Sequence, residues 1–163
     1  MKAIVTGSFD PFTLGHLEIV KKALEKYDEV YVVALNNEQK TYMFSENERK
    51  AIIEKSTDEL NGVIADAYSG LTADYMNEHG ITNIVRGVRN EKDREYELNL
   101  ATKMQEFNPD FQTELIPCTP FLADVSSTEA RKRILEGASL DGILHPNAIE
   151  YIKKKVTTKL VID

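Results

Sequence analysis

The apolar residues of this chain switch repeatedly between two spacings, and that alternation limits the folds open to it. Residues 29–35 form a near-continuous apolar run, as expected of a strand covered on both faces. Shorter runs over 2–6, 62–68, 83–86 and 113–116 read as four more strands. Helical spacing fills the gaps. Leu17, Val20, Leu24 and Tyr27 share one stripe over 15–27, and Tyr96, Leu100, Met104 and Phe107 share another over 91–107. Ser45 with Glu48 and Ser126 with Glu129 have the capping-box spacing, so helices are expected over 45–56 and 126–136. Residues 71–79 read as a helix closed by Gly80, and Asn108-Pro109 stops the helix before it. Pro146 suits the first turn of a last helix over 147–155, and the tail 156–163 is ambiguous. Strand and helix in alternation specify an α/β fold, a doubly wound sheet of five parallel strands with helices on both faces.

The chain has 163 residues, which fits one domain over 1–163, and 42% hydrophobic with 29% charged residues is a globular balance. A net charge of −7 argues against a nucleic-acid partner, which calls for a basic stripe, but leaves room for a locally cationic pocket. The single cysteine, Cys118, permits no internal disulfide and suits a reducing compartment. No segment approaches the roughly 20 apolar residues of a membrane span. The expectation is therefore a cytoplasmic protein without a membrane partner.

In a doubly wound sheet, ligands bind beyond the carboxyl ends of the strands. Those ends fall at residues 7–11, 36–40, 69–72, 86–89 and 117–128. The first opens the run Gly7-Ser8-Phe9-Asp10-Pro11-Phe12-Thr13-Leu14-Gly15-His16. Gly7 permits a tight turn, Ser8 offers a hydroxyl and an N–H, and Gly15 lets a phosphate approach the helix start. His16 sits in the first helical turn, where free N–H groups and the macrodipole favour an anion. The fourth carries Arg86-Gly87-Val88-Arg89, two guanidiniums able to grip phosphate bidentately. The second carries Lys40 shortly before Met43-Phe44, and the last carries Val125-Ser126-Ser127-Thr128 at a helix start. The chain has neither G-x-x-x-x-G-K-S/T nor G-x-G-x-x-G.

The run over 7–16 resembles the Gly-Ser/Thr-Phe-Asp-Pro-x-His/Thr-x-Gly-His signature of the nucleotidylyltransferase superfamily, which has a Rossmann-like fold. Thr13 gives the T-x-G-H form typical of bacterial-type phosphopantetheine adenylyltransferases. The Arg86–Arg89 run, the following Asp93-Arg94-Glu95-Tyr96-Glu97, Lys40 with Met43-Phe44, and Ser126-Ser127-Thr128 resemble that family's motifs in the same order. Two places depart from it: Arg94 replaces a usual aromatic residue, and Pro120-Phe121-Leu122-Ala123-Asp124 differs from the usual aromatic-Ser run.

The resemblance implies an enzyme that moves AMP from ATP to 4′-phosphopantetheine, giving dephospho-coenzyme A and pyrophosphate. It implies His16, Ser8, Lys40 and Arg86 as catalytic residues, and Ser8, Lys40, Thr72 and Arg86 as contacts to the acceptor. It implies ATP contacts from Ser8, Phe9, His16, Gly87, Val88, Arg89, Glu97, Leu122, Ala123, Asp124, Val125, Ser126, Ser127 and Thr128. Mg²⁺ as cofactor, a homohexamer and feedback binding of coenzyme A follow from the same resemblance; no carboxylate cage for a metal is visible. The acceptor's phosphate is already ionised, which fits the lack of a Ser-His-Asp set. Transfer to nicotinate mononucleotide or glycerol 3-phosphate is the nearest rival, opposed by Thr13, Lys40 and the Arg86–Arg89 run. A non-catalytic ATP sensor need not keep Ser8, His16, Lys40 and Arg86 together. His79, His145 and Cys118 read as structural.

Overall fold

The computed structural model describes residues 1–122 and 124–162, apart from the side chains of Phe121 and of residues 157–162. Its elements are β1 (Lys2–Gly7), α1 (Leu14–Leu24), β2 (Glu29–Leu35), α2 (Glu46–Thr57), β3 (Val63–Tyr68), α3 (Thr72–His79), β4 (Asn83–Val88), α4 (Glu91–Phe107), β5 (Gln112–Pro117), α5 (Ser127–Glu136) and α6 (Pro146–Ile162), with a 3-10 turn at Pro120–Leu122. The strands form one parallel sheet in the order β3-β2-β1-β4-β5.

Side-chain alternation along the central strands builds two cores. Ala3 and Val5 of β1 and Val30, Val32 and Ala34 of β2 face one side, where α1, α2, α5 and α6 pack on them. Ile4, Tyr31 and Val33 face the other, against Ala73, Tyr75 and Met76 of α3. Local signals fix the helix ends. Ser45 and Glu48 form the expected reciprocal cap of α2, and Gly80 closes α3 at a φ of 67°. Asn90 caps α4 by accepting the N–H of Asp93. The last helix passes residue 155 and runs to Ile162; no glycine or proline interrupts 147–162, and the β-branched run Val156-Thr157-Thr158 weakens the helical signal without stopping it. The apolar stripe of α4 is only half used: Tyr96 and Phe107 stay 64% and 58% exposed.

The strand order reverses between β1 and β4, where α/β sheets bind ligands. These two strands pair only at Ala3 with Asn83 and Ile4 with Ile84, while β1 and β2 pair along the whole of β1. Past Ile4 and Ile84 they part, opening a crevice at their carboxyl ends. The loops leaving β1 and β2 are tied together beside it. Buried Asp10 accepts the N–H groups of Met43 and Phe44 at 2.8 and 2.9 Å. Asp10→Ala strands both donors and should lower the unfolding free energy by about 3 kcal/mol, with a smaller loss for Asp10→Asn. Urea unfolding midpoints at unchanged slope would check this.

Candidate active site

The β1–α1 loop is shaped by packing that opposes backbone preference. Phe9 holds a left-handed φ of 46°, unusual for a bulky residue. Its buried ring meets Phe12 and His16 edge-on at 5.2 and 4.9 Å between centroids. These contacts hold the strained turn and fix one face of the imidazole.

The Thr13 N–H donates to Nδ1 of His16 at 3.0 Å. Nδ1 is therefore an acceptor, and the proton of the neutral ring sits on Nε2. Burial, then the charges of Arg86 and Arg89, hold His16 down at about 4. At neutral pH the ring is an uncharged Nε2–H donor. Thr13 also caps α1 by accepting the His16 N–H.

The start of α1 is less open to an anion than expected. The Leu14 N–H donates to the carbonyl of Ile143, and that of His16 goes to Thr13, leaving Gly15 as the free first-turn donor. A side chain at Gly15 would bring a Cβ within 3.3 Å of the Val125 carbonyl. Gly15 thus lets the chain ahead of α5 close against α1.

Arg86 fills the crevice between β1 and β4. Continuing the register places it opposite Thr6, and its Nη1 donates to the Thr6 carbonyl and hydroxyl at 2.9 and 3.1 Å. Nε and Nη2 donate to the two oxygens of Glu97 at 2.9 and 3.0 Å, a bidentate pair. Glu97 is 6% exposed, the one buried residue of α4. Most of the Arg86 fork is therefore committed before any ligand arrives. Arg89 is looser: about half exposed, it reaches Asp93 at 3.3 Å.

Two cavities meet at this wall. The larger, about 850 Å³, takes in Ser8, Lys40, Thr72, Arg86 and Glu97 of the expected residues, with apolar Leu100 and Met104. The smaller, about 420 Å³, takes in Phe9, His16, Arg86, Gly87, Arg89, Glu97, Val125, Ser126 and Ser127. Thr6, Gly7, Arg86, Tyr96 and Glu97 line both. Val88, Leu122, Asp124 and Thr128 line neither, and Ala123 lies outside the described residues. The hydroxyls at the start of α5 are already engaged. Ser126 Oγ accepts the Glu129 N–H, and Ser127 Oγ donates to the Pro11 carbonyl. The N–H groups of Ser127 and Thr128 are left outside the helix's own ladder.

Three contributors lay beyond sequence reasoning. Asp10 stands in the run over 7–16, where nothing in its type shows that it ties two loops together, and the Thr13 N–H that sets the imidazole tautomer is a backbone group. Arg49 is the third: wholly buried, it donates to the carbonyls of Ser8 and Leu35 at 2.9 and 3.0 Å and to Oδ1 of Asn36 at 2.5 Å. A signal existed, since Arg49 is in phase with buried Ile52, Ile53 and Ser56 on the inner stripe of α2. Lys40 is exposed, and its ammonium has no partner among the described residues.

His79 stacks on Tyr75 at 4.0 Å, and Nδ1 of His145 accepts the Asn147 N–H; both are away from these cavities. Cys118 lines the smaller cavity, where burial and Glu18 push its thiol up and keep it protonated at neutral pH. Among the described residues no three His, Cys, Asp or Glu side chains come together as a metal site. No helix among them is long and apolar enough to cross a membrane.

A family model described as cytidylyltransferase-like matches residues 4–133. The chain is 37% identical to a phosphopantetheine adenylyltransferase of Bdellovibrio bacteriovorus, over 94% of this chain and 96% of that protein. It is 34% identical to one from Petrotoga mobilis over 98% and 96% of the two chains, and 32% identical to one from Staphylococcus haemolyticus over 94% and 96%.

In an NMR pH titration of the free protein, the His16 ring should change protonation near 4, with the Nε2–H tautomer above that, instead of near 6.5. The sign of the linkage follows. As pH falls below 6.5 the unfolded chain takes up a proton that the folded ring refuses until about 4, so this residue lowers stability across that window. A midpoint near the ordinary value would refute the half-buried, neutral imidazole.

Proposed function

The chain belongs to the cytidylyltransferase-like family, among its phosphopantetheine adenylyltransferases, and we propose that its two cavities are the two substrate sites of adenylyl transfer from ATP to 4′-phosphopantetheine. It is a nucleotidyltransferase of coenzyme A biosynthesis. One observation carries the site assignment: Arg86 stands in a wall shared by a larger cavity holding Lys40 and a smaller one at the start of α5, and the neutral His16 imidazole and Arg89 line the smaller one beside it.

The larger cavity receives 4′-phosphopantetheine. Its phosphate lies at Ser8 and Lys40, near the wall, and its arm runs along Thr72, Leu100 and Met104. The smaller cavity receives the nucleotide. A phosphate oxygen of the acceptor attacks the α-phosphorus of ATP in line. A new P–O bond forms, the bond from the α-phosphorus to the bridging oxygen breaks, and pyrophosphate leaves with the electron pair. No proton must leave an oxygen that is already ionised, so the site needs no general base. It needs alignment and donors for charge growing on the α-phosphate. His16 supplies Nε2–H there, its aim set by Thr13 and Phe9. Arg86, held by Glu97 and Thr6, presents a fixed cation between the two anions. Arg89 and the Ser127 N–H group hold the β- and γ-phosphates.

Mg²⁺ is proposed to enter as part of the MgATP substrate, because Asp10 is spent on two N–H groups and Asp93 faces Arg89. A cytoplasmic homohexamer with feedback by coenzyme A belongs to the same proposal. The exposed Leu98 and Phe107 of α4 support association, as large apolar side chains that a partner would cover. Light scattering should then give six times the chain mass.

Purified protein with ATP, Mg²⁺ and 4′-phosphopantetheine should yield dephospho-coenzyme A and pyrophosphate in equal amounts; ATP binding without product would sink the reading. His16→Ala should cut turnover by about 10²–10³ with the fold intact, as for loss of one transition-state donor. Lys40→Ala should raise the KM for the acceptor by about tenfold with little change for ATP. Lys40 serves better here than Arg86, whose removal strands the buried carboxylate of Glu97.

A further inference from the structure

We propose that Arg49 is a positioning residue for this transfer, a buried cation that sets the wall of the larger cavity for the phosphate end of the acceptor. The inference rests on the assignment of that cavity to 4′-phosphopantetheine.

A buried charge is normally paired with an opposite one. Arg49 is 0% exposed, and among the described residues no carboxylate lies within ion-pair distance of it. Among the described residues it has only neutral partners: the Ser8 and Leu35 carbonyls, the Asn36 amide oxygen, and the ring of Tyr42, whose centroid lies 3.9 Å from the guanidinium carbon. Its Nε has no acceptor among them. All four partners line the larger cavity, and none of them lines the smaller. The guanidinium thus touches the wall from behind, one residue away from the space where the acceptor lies.

Two consequences follow from that placement. First, the planar fork joins the end of β1 at Ser8 to the end of β2 at Leu35 and Asn36, so two segments that must grip one phosphate are held in register. An ammonium has no such fork. Second, the charge is uncompensated until an anion enters the cavity. Across a wall of low dielectric its field reaches that space, so a phosphate becomes the counter-charge the empty protein lacks. The cavity therefore favours an acceptor ending in phosphate over the same arm ending in a hydroxyl.

Arg49→Lys and Arg49→Met, in the full chain, should each raise the KM for 4′-phosphopantetheine about tenfold or more and leave the KM for ATP within about threefold. Binding of pantetheine without its phosphate should stay within about threefold of wild type. An unchanged acceptor KM, or both KM values rising together, overturns the proposal; the second result marks a residue that only supports the fold. If neither variant folds, the unmodified protein decides. The Nε–H resonance of Arg49 should shift on adding 4′-phosphopantetheine and stay in place with pantetheine or a non-hydrolysable ATP analogue. No shift with the phosphorylated acceptor overturns the proposal. Wild-type protein that yields no dephospho-coenzyme A would refute the transfer reaction instead, and the resonance would still report on Arg49.

Discussion

The site depends on one knot of charge where the sheet splits. β1 and β4 pair for two residues and then part. A gap there would leave the Thr6 carbonyl and a buried carboxylate without partners. Arg86 satisfies both, binding Thr6 on one side and both oxygens of Glu97 on the other. The crevice is thereby kept open and lined with a fixed cation, and α4 is anchored to the sheet edge through its one buried residue. Because the same five residues line both cavities, whatever moves Arg86 moves the boundary between the two cavities.

Cations around a histidine have a second effect. Arg86 and Arg89 each disfavour a charged imidazole, and burial disfavours it more. The ring therefore stays neutral where two guanidiniums already provide positive charge. What the arginines cannot provide is a short, directional donor fixed by packing. The Thr13 N–H on Nδ1 and the Phe9 ring against the imidazole fix that direction. The strained φ of Phe9 fits this view, since the backbone distortion keeps the ring where it braces His16.

Much of this was legible in the sequence because it is local. The β2 run, the reciprocal Ser45–Glu48 cap and the Ser126 cap appear in the fold where spacing put them. The strand ends then brought Ser8, His16, Lys40 and Arg86 to the two adjoining cavities. What could not be read is pairing across the chain. Arg86 meets Thr6 from 80 residues away, and Arg49 meets Ser8 from 41. Periodicity says which face of a helix turns inward but not which polar group waits there, so the role of an arginine on the inner stripe of α2 is not readable from spacing. Nor does composition show what the hydroxyls before α5 do in the fold: Ser126 Oγ accepts the Glu129 N–H, and Ser127 Oγ donates to the Pro11 carbonyl.

An acidic protein can hold two polyanions side by side because its cations at the site differ in freedom. Arg49 is immobile, walled in and bound on neutral acceptors. Arg86 is partly exposed but committed to Glu97 and Thr6. Arg89 has one long side-chain contact to Asp93, and the Lys40 ammonium has none among the described residues. Immobile charge cannot follow a ligand but loses no side-chain entropy when the ligand binds, whereas Lys40 can reach a phosphate and must give up rotamer freedom to do so. In the proposed reaction this grading matches the need at each point. The acceptor phosphate must be placed against the α-phosphorus within a narrow range, so fixed cations lie behind and between. Pyrophosphate must depart after each turnover, so the loosely held Arg89 faces it. A site with four equally rigid cations would bind its product as firmly as its substrates.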